Sequence, residues 1–144
     1  GLSLGIGIAM AARMRNQTHR TFVMLGDGEC NEGSVWEAVM CASHYKLNNL
    51  VAIVDRNSMQ NDGESKDVLQ FNSIEDSWKS FGWDVKSIDG HNLRSLYNAL
   101  KPSKKLNKPR VIIANTVKGK GISLWRMFRH GTMANLQSKH LQRP

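Results

Sequence analysis

The sequence predicts an α/β fold, a mostly parallel sheet flanked by helices, and three features of the 144-residue chain predict it. First, residues 21–25, 50–55 and 110–115 are short apolar runs rich in Val, Ile and Leu. Runs of this kind are buried on both faces of a parallel sheet. Second, segments with helical spacing lie between the runs, and strands that alternate with helices at this interval define α/β domains. Third, glycine-bearing loops follow the first and last runs, at residues 26–33 and 118–121. In an open parallel sheet, ligands bind outside the carboxyl ends of the strands. The length is that of one domain, long enough for a substantial core, and no internal repeat or interdomain linker divides it.

Residues 1–15 carry Leu2, Leu4, Ile6, Ile8, Met10 and Met14 among alanines, apolar almost all round. A helix hydrophobic on every face is expected to be buried on every face. Gly5 with Ala9, and Gly7 with Ala11, set small residues one turn apart and permit close approach of another helix. Residues 16–20 form a polar turn in which His19 is an exposed loop residue. After the first strand and the 26–33 loop, residues 34–45 read as a helix, with Val35, Trp36, Val39, Met40 and Ala42 as its core contacts. Ser34 and Glu37 have the spacing of a capping box. His44 suits the negative end of that helix.

The second strand delivers Asn57 just past its end, and the chain then turns polar through residue 72, an excursion from the sheet. Residues 73–81 predict a capped helix closed by Gly82, and residues 83–88 a strand with one wetter face. Asp89-Gly90 turns the chain. Asn92 is the expected N-cap of a helix whose apolar face is Leu93, Leu96, Tyr97 and Leu100. A basic loop between Pro102 and Pro109 leads to the last strand.

Gly26-Asp27-Gly28 and Asn57 end adjacent βα units and should meet at one edge of the sheet. A hard cation such as Mg²⁺ takes oxygen ligands, usually one or two carboxylates completed by phosphate oxygens and water. Asp27 offers charge, Asn57 a neutral amide oxygen, and the turn beyond it the backbone carbonyl of Met59. One carboxylate and one amide are too little for a tight all-protein cage and suit a metal that arrives with a diphosphate. Gly26 and Gly28 let a bulky anion approach the backbone, and the following helix points its positive end at the same edge.

This set resembles the thiamine diphosphate enzymes, whose metal-diphosphate signature is GDG followed at a distance by Asn. Residues 32–38 (EGSVWEA), 55–63 (DRNSMQNDG), Phe81-Gly82-Trp83, Asp89-Gly90-His91 and Lys118-Gly119-Lys120-Gly121 are similar to transketolase in particular. The similarity is closest to the form whose cofactor domain is a separate N-terminal polypeptide. It implies a thiamine diphosphate-binding (diphosphate-domain) fold, with residues 1–144 as part of that domain and a further portion expected upstream. It also implies thiamine diphosphate and Mg²⁺ as cofactors. Gly26, Gly28, Glu29, Asn57 and Lys118 become the candidate cofactor-binding residues, and Asp27, Asn57 and Met59 the metal ligands. Lys118-Gly119-Lys120-Gly121 lacks P-loop spacing, and reads either as a solvated turn or as backbone N–H groups near the cofactor.

His130-Gly131 corresponds to a family pair whose imidazole reaches the cofactor phosphate and the transferring carbonyl, although here Thr132-Met133-Ala134 follows instead of the commoner ending. His130 is the candidate catalytic residue. Glu32 and Glu37 match acidic residues that cross the transketolase dimer interface; for Glu37 the capping reading stands beside this one. The Glu that activates the aminopyrimidine belongs, in this family, to a pyrimidine-binding domain of the partner subunit, so the expected assembly is a homo- or hetero-oligomer and the chain alone is expected to be inactive.

The formal charge of +8 fits a solvated surface and attraction to anionic cofactor and phosphorylated substrates. The basic residues are scattered, without a nucleic-acid motif, so a nucleic-acid partner is not expected. No apolar run is long enough to cross a bilayer, and no membrane partner is expected. Cys30 and Cys41 have no zinc-ligand spacing, and Cys30 lies inside the anion loop. A reducing, cytoplasmic setting is expected. The leading functional expectation is the cofactor-binding portion of a transketolase-like enzyme, transferring a two-carbon ketol unit between sugar phosphates. The alternatives are another thiamine diphosphate reaction (2-oxo acid decarboxylation or a specialised biosynthetic two-carbon transfer) and a non-catalytic assembly module that retains the fold.

Overall fold

The computed structural model of the chain describes residues 1–60, 63–69, 71–102 and 107–122. Element order is α1 (Leu2–Met14), β1 (Thr21–Gly26), a 3-10 turn (Glu29–Asn31), α2 (Gly33–His44), β2 (Leu50–Arg56), β3 (Met59–Gln60), β4 (Gly63–Glu64), α3 (Ser65–Val68), α4 (Ile74–Ser80), β5 (Asp84–Asp89), α5 (Leu93–Leu100) and β6 (Arg110–Asn115). Four strands form one parallel sheet in the order β1-β2-β6-β5. The short β3 and β4 pair antiparallel as a separate hairpin. The expected α/β class is therefore the observed one.

Helices cover both faces of the sheet. On one, Leu2, Ile6 and Ala9 of α1, Val35 and Val39 of α2 and Trp78 of α4 close over Val23, Leu25, Val54 and Ile113. On the other, Ala99 and Leu100 of α5 lie over Val51, Ile53 and Ile112. α1 sits close to β1 because Gly5 has no side chain: a Cβ there would collide with Cγ2 of Val23. The expected close approach of another helix at Gly5 and Gly7 is corrected: Gly5 admits the strand residues Val23 and Leu50, and a Cβ on Gly7 would meet nothing within 4 Å.

Helix ends follow local chemistry. Ser73 and Asn92 cap α4 and α5 with their side-chain oxygens, accepting from the backbone N–H of Asp76 and Ser95. α1 and α2 close in Schellman motifs, with Asn16 and Lys46 in the left-handed region (φ 53° and 50°). Gln17 N–H donates to Ala12 O, and Leu47 N–H donates to Ala42 O.

Several expectations are corrected. α1 is not buried on every face: Leu4, Ile8 and Met14 are exposed, because only one side of the helix meets the sheet and α2. The capping box does not form, since α2 begins at Gly33, with Glu32 at the N-cap and no side-chain cap bond, and Ser34 falls within the first turn. Met40 points outward, whereas Ala38 takes the buried place. Leu93 and Tyr97 of α5 are also exposed, and Ala99, flanked by Leu100, faces the sheet. The polar excursion after β2 contains more structure than a loop, namely the β3–β4 hairpin and the single turn of α3.

Candidate functional site

The register of β1 against β2 makes the site. Gly26 stands opposite Asp55, so the residues that follow each strand emerge side by side at the carboxyl edge. Asp27 is 9% exposed there. Its Oδ1 accepts the N–H of Gly28 at 2.9 Å, and its Oδ2 accepts the N–H of Ser58 at 2.8 Å and the hydroxyl of Ser65 at 3.3 Å. Asn57 lies immediately beyond β2 and closes a small turn, its Oδ1 accepting the N–H of Met59 at 2.9 Å. Between them Ser58 adopts φ 61°, a left-handed conformation that costs a non-glycine residue energy.

The sequence-predicted residues divide as follows. Asp27, Gly28, Asn57 and Met59 are brought together at the ends of β1 and β2. Gly26 donates its N–H to Oε2 of Glu29 at 3.2 Å, so Glu29 occupies the same loop. A Cβ on Gly26 would meet nothing within 4 Å, whereas at Gly28 it would come 3.1 Å from the side chain of Gln60. Lys118 is exposed in the turn after β6, at the same edge of the sheet. His130 lies outside the described residues. Glu32 and Glu37 are exposed at the start of α2.

Residues that sequence reasoning missed complete the environment. Ser58 and Ser65 hold the Asp27 carboxylate, and Ser65 reaches it from α3, a segment whose structure no periodicity announced. A cleft of about 200 Å³ opens beside Asp27, bounded by Arg56, Ser58, Gln60, Ser65 and Lys66. Asn31 also borders it, with Nδ2 donating to the carbonyl of Leu69 and a buried Oδ1 that has no hydrogen-bond partner among the described residues. Arg56 pairs with Glu75 at 2.9 Å and Lys66 with Glu64 at 2.9 Å. Within the loop Cys30 is fully buried, and burial, with Glu29 and Asp27 nearby, pushes its thiol up to about 12. Trp36 Nε1 donates to the carbonyl of Cys30 at 2.7 Å and fixes the loop to α2.

The donors gathered at the turn are the Asp27 carboxylate, the Asn57 amide oxygen and nearby backbone carbonyls, with the Glu29 and Asp55 carboxylates held by Gly26 and Asn57 beside them, all hard oxygen donors. Among the described residues no group of three or more His, Cys, Asp or Glu side chains is gathered. Such a set fits a divalent cation of the Mg²⁺ type that brings further oxygens with it. The open space beside Gly26 is compatible with an anion lying against the backbone.

A parallel sheet with an acidic glycine loop and an Asx turn at its carboxyl edge places this chain among the open α/β domains that bind ligands at that edge. Comparison with known proteins makes the assignment specific. The family profile described as "Transketolase, thiamine diphosphate binding domain" matches residues 2–141. This chain belongs to the transketolase family, through its thiamine diphosphate-binding domain. It is 44% identical over 124 residues to an apulose-4-phosphate transketolase subunit of Phocaeicola vulgatus, covering 85% of this chain and 44% of that protein. It is 39% identical over 140 residues to the 6-deoxy-6-sulfo-D-fructose transketolase subunit SqwG of a Clostridium species, covering 96% and 50%. Transketolase from Campylobacter jejuni superposes with a TM-score of 0.76 at 32% identity, over 84% of this chain and 20% of that one. A Pichia stipitis transketolase structure with xylulose 5-phosphate gives 0.78 at 30% identity, with the same coverage. The chain spans about half the length of the curated subunits it matches. No helix among the described residues is long and apolar enough to cross a membrane.

Proposed function

We propose that this chain is the diphosphate-binding part of an enzyme that transfers a two-carbon ketol unit between sugar phosphates. The observation that carries the reading is the buried Asp27 carboxylate, tied at 2.8 Å to the turn that bears Asn57. In this reading Asp27, the amide oxygen of Asn57 and the carbonyl of Met59 hold Mg²⁺. Gly26, Gly28, Glu29 and Lys118 line the diphosphate site. Thiamine diphosphate, when bound, supplies the carbanion chemistry that breaks and forms the carbon–carbon bond. The chain's own residues bind and orient it, and Trp36 and the buried Cys30 keep the loop rigid on α2. His130, on the strength of the family resemblance alone, donates to or accepts from the transferring group.

A second chain or domain completes the enzyme by supplying the pyrimidine site and its activating Glu. Two relatives are described as transketolase subunits, which supports a partner of this kind. We place the assembly in the cytoplasm, in keeping with the two free cysteines. The test is titration of thiamine diphosphate and Mg²⁺ into the complete assembly carrying Asp27→Ala or Asn57→Ala. Saturating cofactor should stabilise wild type by about 3–4 kcal/mol at 100 to 1,000 times Kd. Both variants should lose most of that shift, Asp27→Ala more because it removes the charge. A full shift in both would put the metal site elsewhere.

A further inference from the structure

Asn57 has a neighbour that the cofactor reading does not use. Its Nδ2 donates to Oδ2 of Asp55 at 3.4 Å, while the other oxygen of Asp55 accepts the hydroxyl of Thr116 at 2.5 Å. Asp55 is the penultimate residue of β2, and Thr116 follows β6, the next strand of the sheet. The N–H of Thr116 donates to the carbonyl of Arg56 at 2.9 Å, so the β2–β6 pairing continues to this point. A rigid ladder therefore delivers all three side chains to one place.

An amide side chain presents oxygen on one side and NH₂ on the other, and the two exchange by a flip. At Asn57 both sides are read. Met59 offers an N–H, which requires the oxygen, and Asp55 offers carboxylate oxygens, which require the NH₂. A flipped amide would set two donors against each other at Met59 and oxygen against a carboxylate at Asp55. Thr116 in turn fixes the carboxylate by a short, charge-assisted bond.

We infer that Asp55 is a positioning residue for the metal site: together with Thr116 it locks the Asn57 amide with its oxygen, not its nitrogen, toward the cation. The inference rests on the proposed Asp27–Asn57 metal site and deepens it. Partners that orient metal ligands from behind are worth roughly 10- to 100-fold in metal affinity.

The experiment measures the Mg²⁺ concentration that half-saturates cofactor binding in the complete enzyme, for Asp55→Ala, Thr116→Val, Asn57→Ala and the Asp55→Ala/Asn57→Ala double variant. Circular dichroism melts of the apo forms run alongside. Asp55→Ala should raise the Mg²⁺ requirement about tenfold or more, and Thr116→Val, which keeps the charge, by a smaller factor. In the Asn57→Ala background, Asp55→Ala should add less than about twofold, because there is no longer an amide to orient. A full additional loss in that background, or an unchanged Mg²⁺ requirement in both Asp55→Ala and Thr116→Val, overturns the inference. Should Asp55→Ala fail to fold, Thr116→Val with and without Asn57→Ala decides by the same two criteria. If Asn57→Ala alone leaves the Mg²⁺ requirement unchanged, the metal-site reading falls, a result distinct from failure of Asp55 with Asn57 intact in its role.

Discussion

The Oδ2 of Asp27 accepts the backbone N–H of Ser58 at 2.8 Å, joining the loop after β1 to the turn after β2. Ser58 is held at φ 61°, a conformation its side chain disfavours. The carboxylate and the Asn57 side chain each take one N–H of this turn, Ser58 and Met59 respectively. The same group proposed to bind the metal thus also shapes the turn that presents the second ligand.

His130→Ala in the complete enzyme should lower kcat and kcat/KM together, by roughly 10²-fold, as for loss of a hydrogen-bond donor or acid–base group. Cofactor affinity should change little, since Asp27 and Asn57 remain. Steady-state kinetics paired with cofactor titration checks this. Near-wild-type kcat would make His130 a surface residue, and a collapse of cofactor binding alone would make it a diphosphate anchor.

Asp84→Asn should destabilise the fold by about 3 kcal/mol. Arg110 is 8% exposed and donates Nε to Asp84 at 2.6 Å, while its Nη1 serves the carbonyls of Ala99 and Lys101 at the end of α5. Removing the carboxylate's charge leaves a buried guanidinium uncompensated. Urea denaturation measures the loss, and a change below about 1 kcal/mol, the range of an exposed pair, would show that the ion pair is screened by water.

Lys46→Gly should stabilise by about 0.5–1 kcal/mol, contrary to the usual effect of introducing glycine next to a helix. Lys46 occupies the left-handed position that ends α2, with its N–H on the carbonyl of Ser43 at 3.0 Å. Its side chain is exposed, so little packing is lost. A thermal melt that shifts downward would contradict the assignment of strain.

Cys41 should react with a thiol reagent at pH 8 well before Cys30. Cys30 is fully buried and its thiol is pushed up to about 12, from an ordinary value of 9.0. The folded state holds its proton more tightly than the unfolded chain, so this group's contribution to stability is intact below about pH 9 and is lost between there and pH 12. Mass-resolved labelling kinetics tests the order, and faster labelling at Cys30 would show that the 26–33 loop opens readily.

Much of the fold was legible because periodicity and punctuation are local. The apolar runs at residues 21–25, 50–55 and 110–115 became β1, β2 and β6, and Ser73, Gly82 and Asn92 marked the helix ends where they stand in the structure. The Asp27–Asn57 convergence followed from strand order alone, since consecutive parallel strands present their loops at one edge. Which side of α1 and α5 is buried was not legible. Leu4 and Leu93 are as apolar as Leu2, and only the docking of each helix against the sheet decides which of them loses contact with water.

Residue types at short spacing were enough for the fold class, the order of the four sheet strands and the longer helices, and the acidic glycine loop, while β3, β4 and α3 went unannounced and the candidate cofactor residues came from family resemblance. Tertiary structure alone decided that Ser65 reaches Asp27, that Thr116 and Asn57 share the carboxylate of Asp55, and that Arg110 closes the end of α5. Those contacts join residues from separate strands and loops. Hydrogen bonds require an approach within about 3 Å. No pattern along the chain specifies that approach before the β1–β2–β6 register brings the segments together.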